Sequence, residues 1–567
     1  MSRYILFFLL FFSCQTSKQI ISPSQVNPYS YTSNKKLTGS NGAVVSAHPL
    51  ASQVGVEIMK DGGNAVDAAI ATQLALAVVY PAAGNIGGGG FMVAMLSNGK
   101  TLALDYREKA PGAAHRDMYL DKDGEVIKGR STEGHQAAGV PGTVAGLFES
   151  ARYAKLSFKK LIAPAIELAE NGFVITEREA SSLNRIQDDL NTHNTSPSVF
   201  QKKITWKKGD TLIQKDLANT LKRIRDEGHK GFYEGQTARL IVDEMKRGNG
   251  LVSLDDLKNY KAIWREPHQF SYKQYSIISM PMPSSGGVLL NQMMKMVEDK
   301  PLASYGFLSP AAIQLMTEVE RRAFADRSEH MGDADFYKVP KKLTDEAYLK
   351  ERMKDYVPGM AGNSKSVKPG IIRNESEETT HLSVIDREGN AVAVTTTLNN
   401  SYGSRTVVGN AGFFLNNEMD DFSVKPGVPN IYGALGGTAN AIEPGKRMLS
   451  AMTPTIVILD NKPFLVVGTP GGTTIPTSVF QTLINILEFG MSTEDAVNKP
   501  KFHHQWLPDQ IDVEKTFPEE TREALRTMGY KIYERVAIGR TEVIKVNPDG
   551  SFEAVADSRG DDSAAGW

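Results

Sequence analysis

The chain has 567 residues, of which 41% are hydrophobic and 23% are charged, and its formal net charge is -1. This composition is typical of a globular protein with a large core, and it excludes a disordered or fibrous chain. Because the charge is close to neutral, the composition also argues against nucleic acid as the main partner.

The amino terminus has the pattern of an export signal. The first residues, MSRYILFFLLFFSC, combine a cation at Arg3 with an apolar run from Tyr4 to Phe12. A run of this length is too short to span a bilayer, so residues 1–13 are predicted to be a cleaved signal peptide. The only cysteine, Cys14, follows a small residue at the end of this run and resembles the lipobox cysteine of bacterial lipoproteins. Lipid attachment at Cys14 and a chance cysteine in an ordinary signal peptide are the two interpretations.

A polar segment separates this signal from the folded body. Residues 15–36 are rich in Ser, Asn and Pro and show no hydrophobic period, so a flexible tether is predicted over residues 14–39. The predicted location is the periplasm or the outer membrane of a bacterium, with a lipid on Cys14 as the only membrane contact. A single cysteine also excludes a disulfide framework.

Regular patterns begin after Gly42. A short apolar strand, AVVSAH, precedes an Ala-rich stretch from Ala51 to Val79 that predicts two buried helices broken at residues 61–64. The glycine run GNIGGGG, residues 84–90, then leads into the strand FMVAML. A phosphate-binding glycine loop connects a strand to a helix, whereas this run connects a helix to a strand. We therefore favour close backbone packing over a dinucleotide site.

The middle and the last third of the chain differ in pattern. Residues 145–370 are predicted to be mostly helical, and the last third contains short β-patterned runs separated by Gly, Pro and Asn turns. The amphipathic helical stretches are Phe158 to Asn171, Asp216 to Glu227, Gly287 to Glu298 and Pro310 to Asp326. Two further helices are predicted near Thr477 to Phe489 and Glu519 to Met528.

A β-hairpin is predicted directly after the acidic run NESEE. The turn DREGN, Asp386 to Asn390, has a three-residue loop with glycine last, which is a common hairpin connection. If Asp386 pairs with Asn390, counting seven residues along each strand places Thr379 opposite Thr397, with Cβ atoms roughly 5 Å apart. Two hydroxyl groups are thus expected to meet at the open end of the hairpin.

The Thr379 hydroxyl could act as a nucleophile if a base lay next to it. A threonine hydroxyl needs an adjacent base, and His381, two residues along the strand, is the histidine that the sequence places nearest. Cleavage between Glu378 and Thr379 would instead free an α-amine with a pKa near 8 on the nucleophile's own residue. The sequence alone leaves this open against an ordinary β-edge threonine pair.

Motifs along the whole chain resemble the γ-glutamyltranspeptidases. Upstream of Thr379 they are DGGNAVDAA, GNIGGGGF, LDYREKAP, GVPGTVAGL, PSSGG and ADRSEHMGD. From Thr379 onward they are TTHLSVIDREGNAVAVTTTLN, LNNEMDDFSVKPGVPNIYG, RMLSAMTPTIV, VVGTPGG and FHHQWLPD. The resemblance covers nearly everything from about residue 40 to the end.

The resemblance implies an α+β fold, the four-layer αββα sandwich of the N-terminal nucleophile hydrolases. It also implies self-cleavage into a large subunit, residues 40–378, and a small subunit, residues 379–567, which form a heterodimer. Thr379 then matches the nucleophile and Thr397 the threonine that orients it. Gly471 and Gly472 match the oxyanion hole, where the loss of one donor typically costs about 3 to 4 kcal/mol.

The same resemblance assigns a site for the γ-glutamyl group of small molecules such as glutathione. Arg107 matches a carboxylate clamp, and Ser450 a further carboxylate contact. Asn399, Glu418 and Asp421 match the ammonium side. Tyr432, in a loop rich in Pro and Gly, matches a lid tyrosine. No cofactor is implied, and water or amines of amino acids and peptides are the expected acceptors.

The chain departs from the family in one motif, where Ser450 and Ala451 replace two adjacent serines. One missing hydrogen bond corresponds to about 1 kcal/mol of affinity and keeps the glutaryl (cephalosporin) acylases of the same fold as an alternative. A non-catalytic surface lipoprotein is a second alternative, disfavoured because the nucleophile and both glycines are present. A metal enzyme is also disfavoured, because His503 and His504 would point to opposite faces of a strand.

Overall fold

Two antiparallel sheets form the centre of the protein. The computed structural model describes residues 26–367, 379–425, 427–430, 433 and 435–567. The strands up to residue 279 are β1 (Lys36–Gly39), β2 (Gly42–Ser46), β3 (Gly89–Met95), β4 (Thr101–Asp105), β5 (Phe173–Val174), β6 (Thr211–Leu212), β7 (Ile263–Arg265), β8 (His268–Tyr272) and β9 (Tyr275–Ser279). Those after residue 379 are β10 (Thr380–Asp386), β11 (Ala391–Thr397), β12 (Thr455–Leu459), β13 (Lys462–Gly468), β14 (Phe502–His503), β15 (Ile511–Glu514), β16 (Ile532–Arg535), β17 (Glu542–Val546), β18 (Phe552–Val555) and β19 (Ser563–Gly566).

Helices flank these sheets on both sides. Up to residue 259 they are α1 (Pro49–Lys60), α2 (Ala65–Val79), α3 (Thr143–Ser150), α4 (Phe158–Asn171), α5 (Glu177–Arg185), α6 (Gln187–His193), α7 (Lys215–Glu227), α8 (Lys230–Tyr233), α9 (Gly235–Arg247) and α10 (Leu254–Asn259). The later ones are α11 (Gly286–Val297), α12 (Leu302–Tyr305), α13 (Pro310–His330), α14 (Glu346–Arg352), α15 (Thr474–Leu487), α16 (Thr493–Asn498) and α17 (Glu519–Thr527).

Both sheets combine strands from the two sides of the predicted cleavage point. Sheet I, seven-stranded within the described residues, has the order β1-β18-β17-β13-β12-β9-β8, and sheet II, also seven-stranded there, has the order β19-β2-β10-β11-β3-β4-β7. In sheet II the hairpin β10–β11 lies between β2 and β3. The segments before and after residue 379 therefore form one interleaved body.

Three apolar layers separate the four structural layers. One core lies between sheet I and sheet II and includes Val93, Ile385 and Ile456. A second lies between the outer face of sheet II and helices such as α2. A third lies between the outer face of sheet I and helices including α11, α13 and α15. This order of helices, sheet, sheet and helices is the predicted αββα sandwich.

The predicted hairpin forms with the predicted register. Thr380 pairs with Thr396 and Ile385 with Ala391, and the Asp386 amide donates to the Asn390 carbonyl at 3.1 Å. The pairing begins at Thr380 and Thr396, and its extension by one residue on each strand would set Thr379 opposite Thr397. Since Ile385 belongs to the core between the sheets, strand alternation places Thr379 on that inner face as well.

The helix predictions are confirmed closely. Phe158 to Asn171 is helical over its full predicted length as α4, and the break at residues 61–64 separates α1 from α2, in which Asn64 is the N-cap. The sequence pattern missed β7, β8 and β9 within the mostly helical region. These strands are short, and β7 is only partly buried, so they carry weak periodicity.

The glycine run packs closely against the β10–β11 hairpin and its loops, as predicted. A Cβ atom on Gly88 would lie 2.1 Å from the Thr397 carbonyl oxygen, and one on Gly87 would lie 2.1 Å from that of Phe414. Such distances exclude any side chain at either position. The run thus brings a loop backbone against the strand end that carries Thr397.

The predicted flexible tether over residues 14–39 is wrong from residue 26 onward. Lys36–Gly39 forms β1 and pairs with β18 at the edge of sheet I. The Lys35 ammonium donates to the carbonyl groups of Asp557, Gly560 and Asp562. Polar residues of this segment contact the carboxyl-terminal part of the chain. Composition alone does not distinguish polar residues that make such contacts from polar residues that face solvent. The predicted signal peptide and Cys14 lie outside the described residues.

Within the described chain, no helix is long and apolar enough to cross a membrane.

Candidate active site

A small cavity lies at the end of the β10–β11 hairpin. Its walls come from both sides of residue 379. The lining residues are Arg107, Arg327, Thr379, Thr397, Asn399, Glu418, Asp421, Asn430, Ser450, Ala451, Met452, Gly472, Thr473 and Ile475. The structure thus brings together most of the site residues predicted from the sequence. Gly471 adjoins Gly472, whereas Glu378 and Tyr432 lie outside the described residues.

The threonine pair is held at the mouth of the hairpin. Thr379 and Thr397 are both buried, and the Asn399 amide donates to the Thr397 hydroxyl oxygen at 2.7 Å. Asn399 has a φ of 76°, so the chain turns sharply directly after β11. This turn presents the Thr397 hydroxyl and the Asn399 side chain to the same cavity.

His381 does not contact Thr379 by any hydrogen bond within the described chain. Its ring nitrogens instead contact the hydroxyls of Thr395 at 2.9 Å and Ser383 at 3.1 Å. Burial lowers the pKa of His381 to about 3. This histidine is therefore neutral at working pH and is occupied on both sides, which leaves the α-amine of a cleaved Thr379 as the better-placed base.

Asn85 clamps the strand end that carries Thr397. Its side-chain nitrogen donates to the Thr397 carbonyl at 2.9 Å, and its side-chain oxygen accepts from the Gly88 amide at 2.9 Å and the Thr143 hydroxyl at 2.7 Å. The sequence analysis assigned no role to Asn85. The only sequence feature that could have indicated a role for Asn85 is its position inside the glycine run.

Gly471 and Gly472 form the turn before α15. Their φ values are 137° and 53°, and a Cβ on Gly471 would lie 2.4 Å from the Thr474 hydroxyl oxygen. The Thr474 amide and hydroxyl both donate to the Gly471 carbonyl, which points that carbonyl toward the helix. Amide groups before a 14-residue helix lie at the positive end of its dipole, a suitable place for a developing oxyanion.

A buried charge cluster also lines the cavity. Arg107, which follows β4, makes ion pairs with Glu418 and Asp421, and its Nε donates to the Met448 carbonyl at 3.3 Å. The Glu108 Oε2 atom lies 3.7 Å from the Arg107 Nη1 atom. The predicted cation and acids are therefore in mutual contact, a pairing that the motif spacing did not reveal.

Burial controls the protonation of this cluster. It raises the pKa of the Asp421 and Glu418 carboxyl groups, with Arg107 opposing the shift, and raises that of Glu108 to about 8. Burial opposes the charge on Arg107, but the two acids outweigh it and hold the pKa of Arg107 above its usual value. A ligand ammonium placed here would favour the ionised acids.

Ser450 and Ala451 line the cavity from the segment that leads into β12. The Ser450 hydroxyl oxygen accepts from the Met452 amide at 3.1 Å, and the Ser450 carbonyl accepts from the Ser285 amide and hydroxyl. Ser285 belongs to the PSSGG motif, whose function the sequence analysis did not assign. The missed lining residues are Arg327, Asn430, Met452, Thr473 and Ile475.

The loop after Asp421 contacts the cluster directly. The Asn430 side-chain nitrogen donates to the Asp421 carboxylate at 3.0 Å, and the Asn440 side-chain nitrogen donates to the Asp421 carbonyl at 2.7 Å. The segment in which the lid tyrosine was predicted is therefore attached to Asp421.

The described residues hold no group of three or more His, Cys, Asp or Glu side chains suited to a metal ion. His503 and His504 bind separate partners, Thr477 at 2.8 Å and Asp509 at 3.5 Å.

Comparisons with known proteins agree on one family. The model of the γ-glutamyltranspeptidase family matches residues 51–567. The glutathione hydrolase proenzyme of Escherichia coli K12 is 46% identical over 532 residues, which cover 93% of this chain and 92% of that protein.

Solved structures show the same fold. The cephalosporin acylase of Bacillus halodurans superposes with a TM-score of 0.81 at 25% identity and covers 97% of this chain and 99% of its own. The γ-glutamyltranspeptidase of Helicobacter pylori is 46% identical with a TM-score of 0.56, and the match covers 57% of this chain and 94% of that one. A chain that matches little more than half of this one is consistent with a divided relative. With the family model matched over residues 51–567 and the Escherichia coli relative aligned along nearly its whole length, this chain belongs to the γ-glutamyltranspeptidase family.

Proposed function

We propose that this protein is a γ-glutamyltransferase and glutathione hydrolase that matures by cleaving its own chain before Thr379. The observation that carries the proposal is the single cavity in which the hydroxyl residues Thr379 and Thr397 face the charge cluster of Arg107, Glu418 and Asp421. A γ-glutamyl group needs both features, because its reactive γ-carbonyl lies at one end and its α-carboxylate and α-ammonium lie at the other.

The reaction follows from these positions. Hydrolysis of the peptide bond between Glu378 and Thr379 frees the Thr379 α-amine, which takes the proton from the hydroxyl of the same residue. The oxygen attacks the γ-carbonyl, and the amides of Gly471 and Gly472 stabilise the negative charge that develops on the carbonyl oxygen. The amine then returns the proton to the leaving nitrogen.

An ester between the γ-glutamyl group and Thr379 remains after this step. Water, or the amine of an amino acid or peptide, attacks the ester carbonyl and loses its proton to the Thr379 amine, and the Thr379 hydroxyl is regenerated. Thr397 is proposed to orient the nucleophile, since the hairpin register places it opposite Thr379. Asn399, Ser450 and Tyr432 are proposed to bind the donor and to cover it.

A glutaryl acylase activity is the second candidate, favoured by Ala451, which lacks the hydroxyl expected at this position. The acids of the cavity oppose it, because glutaryl has no ammonium group to pair with Asp421 or Glu418. Turnover of γ-glutamyl anilide and glutaryl anilide by the purified protein decides between the two. Preference for the glutaryl substrate would overturn the proposed function.

Export is proposed with the same division of the chain. Residues 1–13 act as a signal peptide, Cys14 carries a lipid, and residues up to 378 and from 379 form the large and small subunits. The segment from residue 26 to residue 39 packs against the folded body and is not part of the proposed tether. Mass spectrometry of the first peptide of membrane-bound protein tests this, since an unmodified Cys14 or a retained signal would contradict it.

A further inference from the structure

Arg327 is a buried cation that has no acid partner among the described residues. It lies on α13, its exposed fraction is 7%, and it lines the cavity beside Thr379 and Arg107. Among the described residues no carboxylate lies within 4.0 Å of its guanidinium, whereas the other buried arginines all have one. Those ion pairs involve Arg107, Arg321, Arg322, Arg447 and Arg522.

Within the part of the chain that the structure describes, one hydrogen bond holds the Arg327 side chain. Its Nε donates to the Ser285 hydroxyl at 3.0 Å, and that hydroxyl donates to the Ser450 carbonyl at 2.7 Å. The two terminal nitrogens of Arg327 form no hydrogen bond to a described residue. Ser285 therefore links the guanidinium to the Ser450–Ala451 wall and leaves its donor edge available to the cavity.

The charges of the cavity suit a zwitterion. Burial lowers the pKa of Arg327 to about 10, with Asp421 opposing, so the guanidinium stays charged at neutral pH. Arg107 and Arg327 supply two cations, and Glu418 and Asp421 supply two acids. Both acids bind Arg107, whereas Arg327 forms no ion pair with any described residue.

Resting on the proposed function, we propose that Arg327 binds the α-carboxylate of the γ-glutamyl donor together with Arg107. The terminal nitrogens of Arg327 donate to the carboxylate and replace the hydroxyl that Ala451 lacks. The donor's ammonium pairs with Asp421 and Glu418. Arg327 thereby becomes a specificity-determining residue for donors that keep a free α-carboxylate.

The test compares two anilide substrates, γ-glutamyl anilide and its α-carboxamide analogue. In Arg327→Met we expect kcat/KM for the free carboxylate to fall about 10- to 100-fold, mainly through KM, because a charge-assisted contact is lost. For the carboxamide the fall should stay within about twofold, since an uncharged group gains little from the guanidinium. Arg327→Lys should keep part of the preference for the carboxylate, because lysine retains the positive charge but lacks the planar pair of N–H donors of the guanidinium.

Two further variants separate binding from structure. Arg321→Met, on the same helix and paired with Glu318 and Asp509, should change stability but leave the carboxylate-to-carboxamide ratio unchanged. Ala451→Ser in the Arg327→Met background should recover several-fold of the lost kcat/KM for the carboxylate. If Arg327→Met does not mature, Arg327→Lys and Ala451→Ser measure the same ratio.

Equal losses on both substrates would overturn the proposal and leave Arg327 a structural residue. An unchanged kcat/KM on the anilide, with losses only for donors whose leaving group carries a carboxylate, would also overturn it, because Arg327 would then bind the leaving group. Failure of the proposed function is a separate result, in which the wild-type protein does not turn over γ-glutamyl anilide.

Discussion

Arg107 is a buried side chain that holds the charge cluster together and is proposed to bind the donor. It is buried and holds two carboxylates whose burial would otherwise favour their neutral forms. The motif DYREKAP predicted a carboxylate clamp at this position, but no sequence pattern indicated that Glu418 and Asp421, more than 300 residues away, would be its partners. Tertiary contacts of this separation carry no local periodicity.

Replacement of Arg107 tests its proposed place in the donor site. In Arg107→Ala we expect KM for γ-glutamyl anilide to rise by at least tenfold, because a bidentate partner is lost and two buried acids are left unpaired. Arg107→Lys should recover only a small part, since an ammonium cannot make the planar double contact. Steady-state kinetics of variants that still give two fragments measure this, and equal values for Arg, Lys and Ala would remove Arg107 from the site.

The raised pKa values of the acids predict a pH dependence of binding. Only an ionised carboxylate attracts the donor's ammonium, so affinity is lost as the pH falls through the pKa of Asp421 and Glu418. Burial raises the pKa of both carboxyl groups. As the pH is lowered, the KM for γ-glutamyl anilide should therefore begin to rise at a pH above about 4, where ordinary carboxyl groups titrate. A KM that stays constant from pH 7 to pH 4.5 would contradict this reasoning.

At the level of elements, the β10–β11 hairpin was the most predictable part of the site. Its turn and its register from Thr380 and Thr396 onward followed from alternation and the DREGN loop, and Thr379 and Thr397 line one cavity. The clamp on its open end was not predictable, because the contacts of Asn85 and Gly88 come from a loop about 300 residues away. The motif predicted the glycines of the turn at Gly471. The φ values of this turn depend on its contacts with the start of α15, which the motif does not show.

A methyl group at Gly88 should therefore disable the hairpin end. Its Cβ would lie 2.1 Å from the Thr397 carbonyl oxygen, so Gly88→Ala must displace either the loop or the strand end. We expect at least a hundredfold loss of kcat, since misplacement by about 1 Å can cost this much. Gly409→Ala is the matched control, because Gly409 has no positive φ and the nearest atoms to its Cβ would lie 3.5 Å away, an ordinary contact; comparable losses in both variants would refute the clamp.

Across the whole molecule, the layer order was predictable and the interleaving was not. The resemblance implied the αββα sandwich, but the sequence does not show that β2 and β3 flank β10 and β11. The strand β1 was mistaken for part of a tether because its burial depends on β18, at the other end of the chain. Polar composition identifies a tether only when nothing packs against it.

Interleaved sheets predict that the two fragments cannot separate without unfolding. The core between sheet I and sheet II contains side chains from both segments, for example Val93 and Ile385. Mature protein should elute as one species in native gel filtration and divide only in denaturant. The segment up to residue 378, produced alone, should be insoluble, because β2 and β3 would expose unpaired edges. Separation in native buffer would contradict the shared core.

The most direct test of the account is tandem mass spectrometry of active protein quenched in acid during turnover of γ-glutamyl anilide. The account predicts a small fragment whose first residue is Thr379, with one γ-glutamyl group on the Thr379 hydroxyl, and a single uncut chain in Thr379→Ala. An active wild-type protein that is intact between residues 378 and 379, or a γ-glutamyl group on another residue, would contradict it.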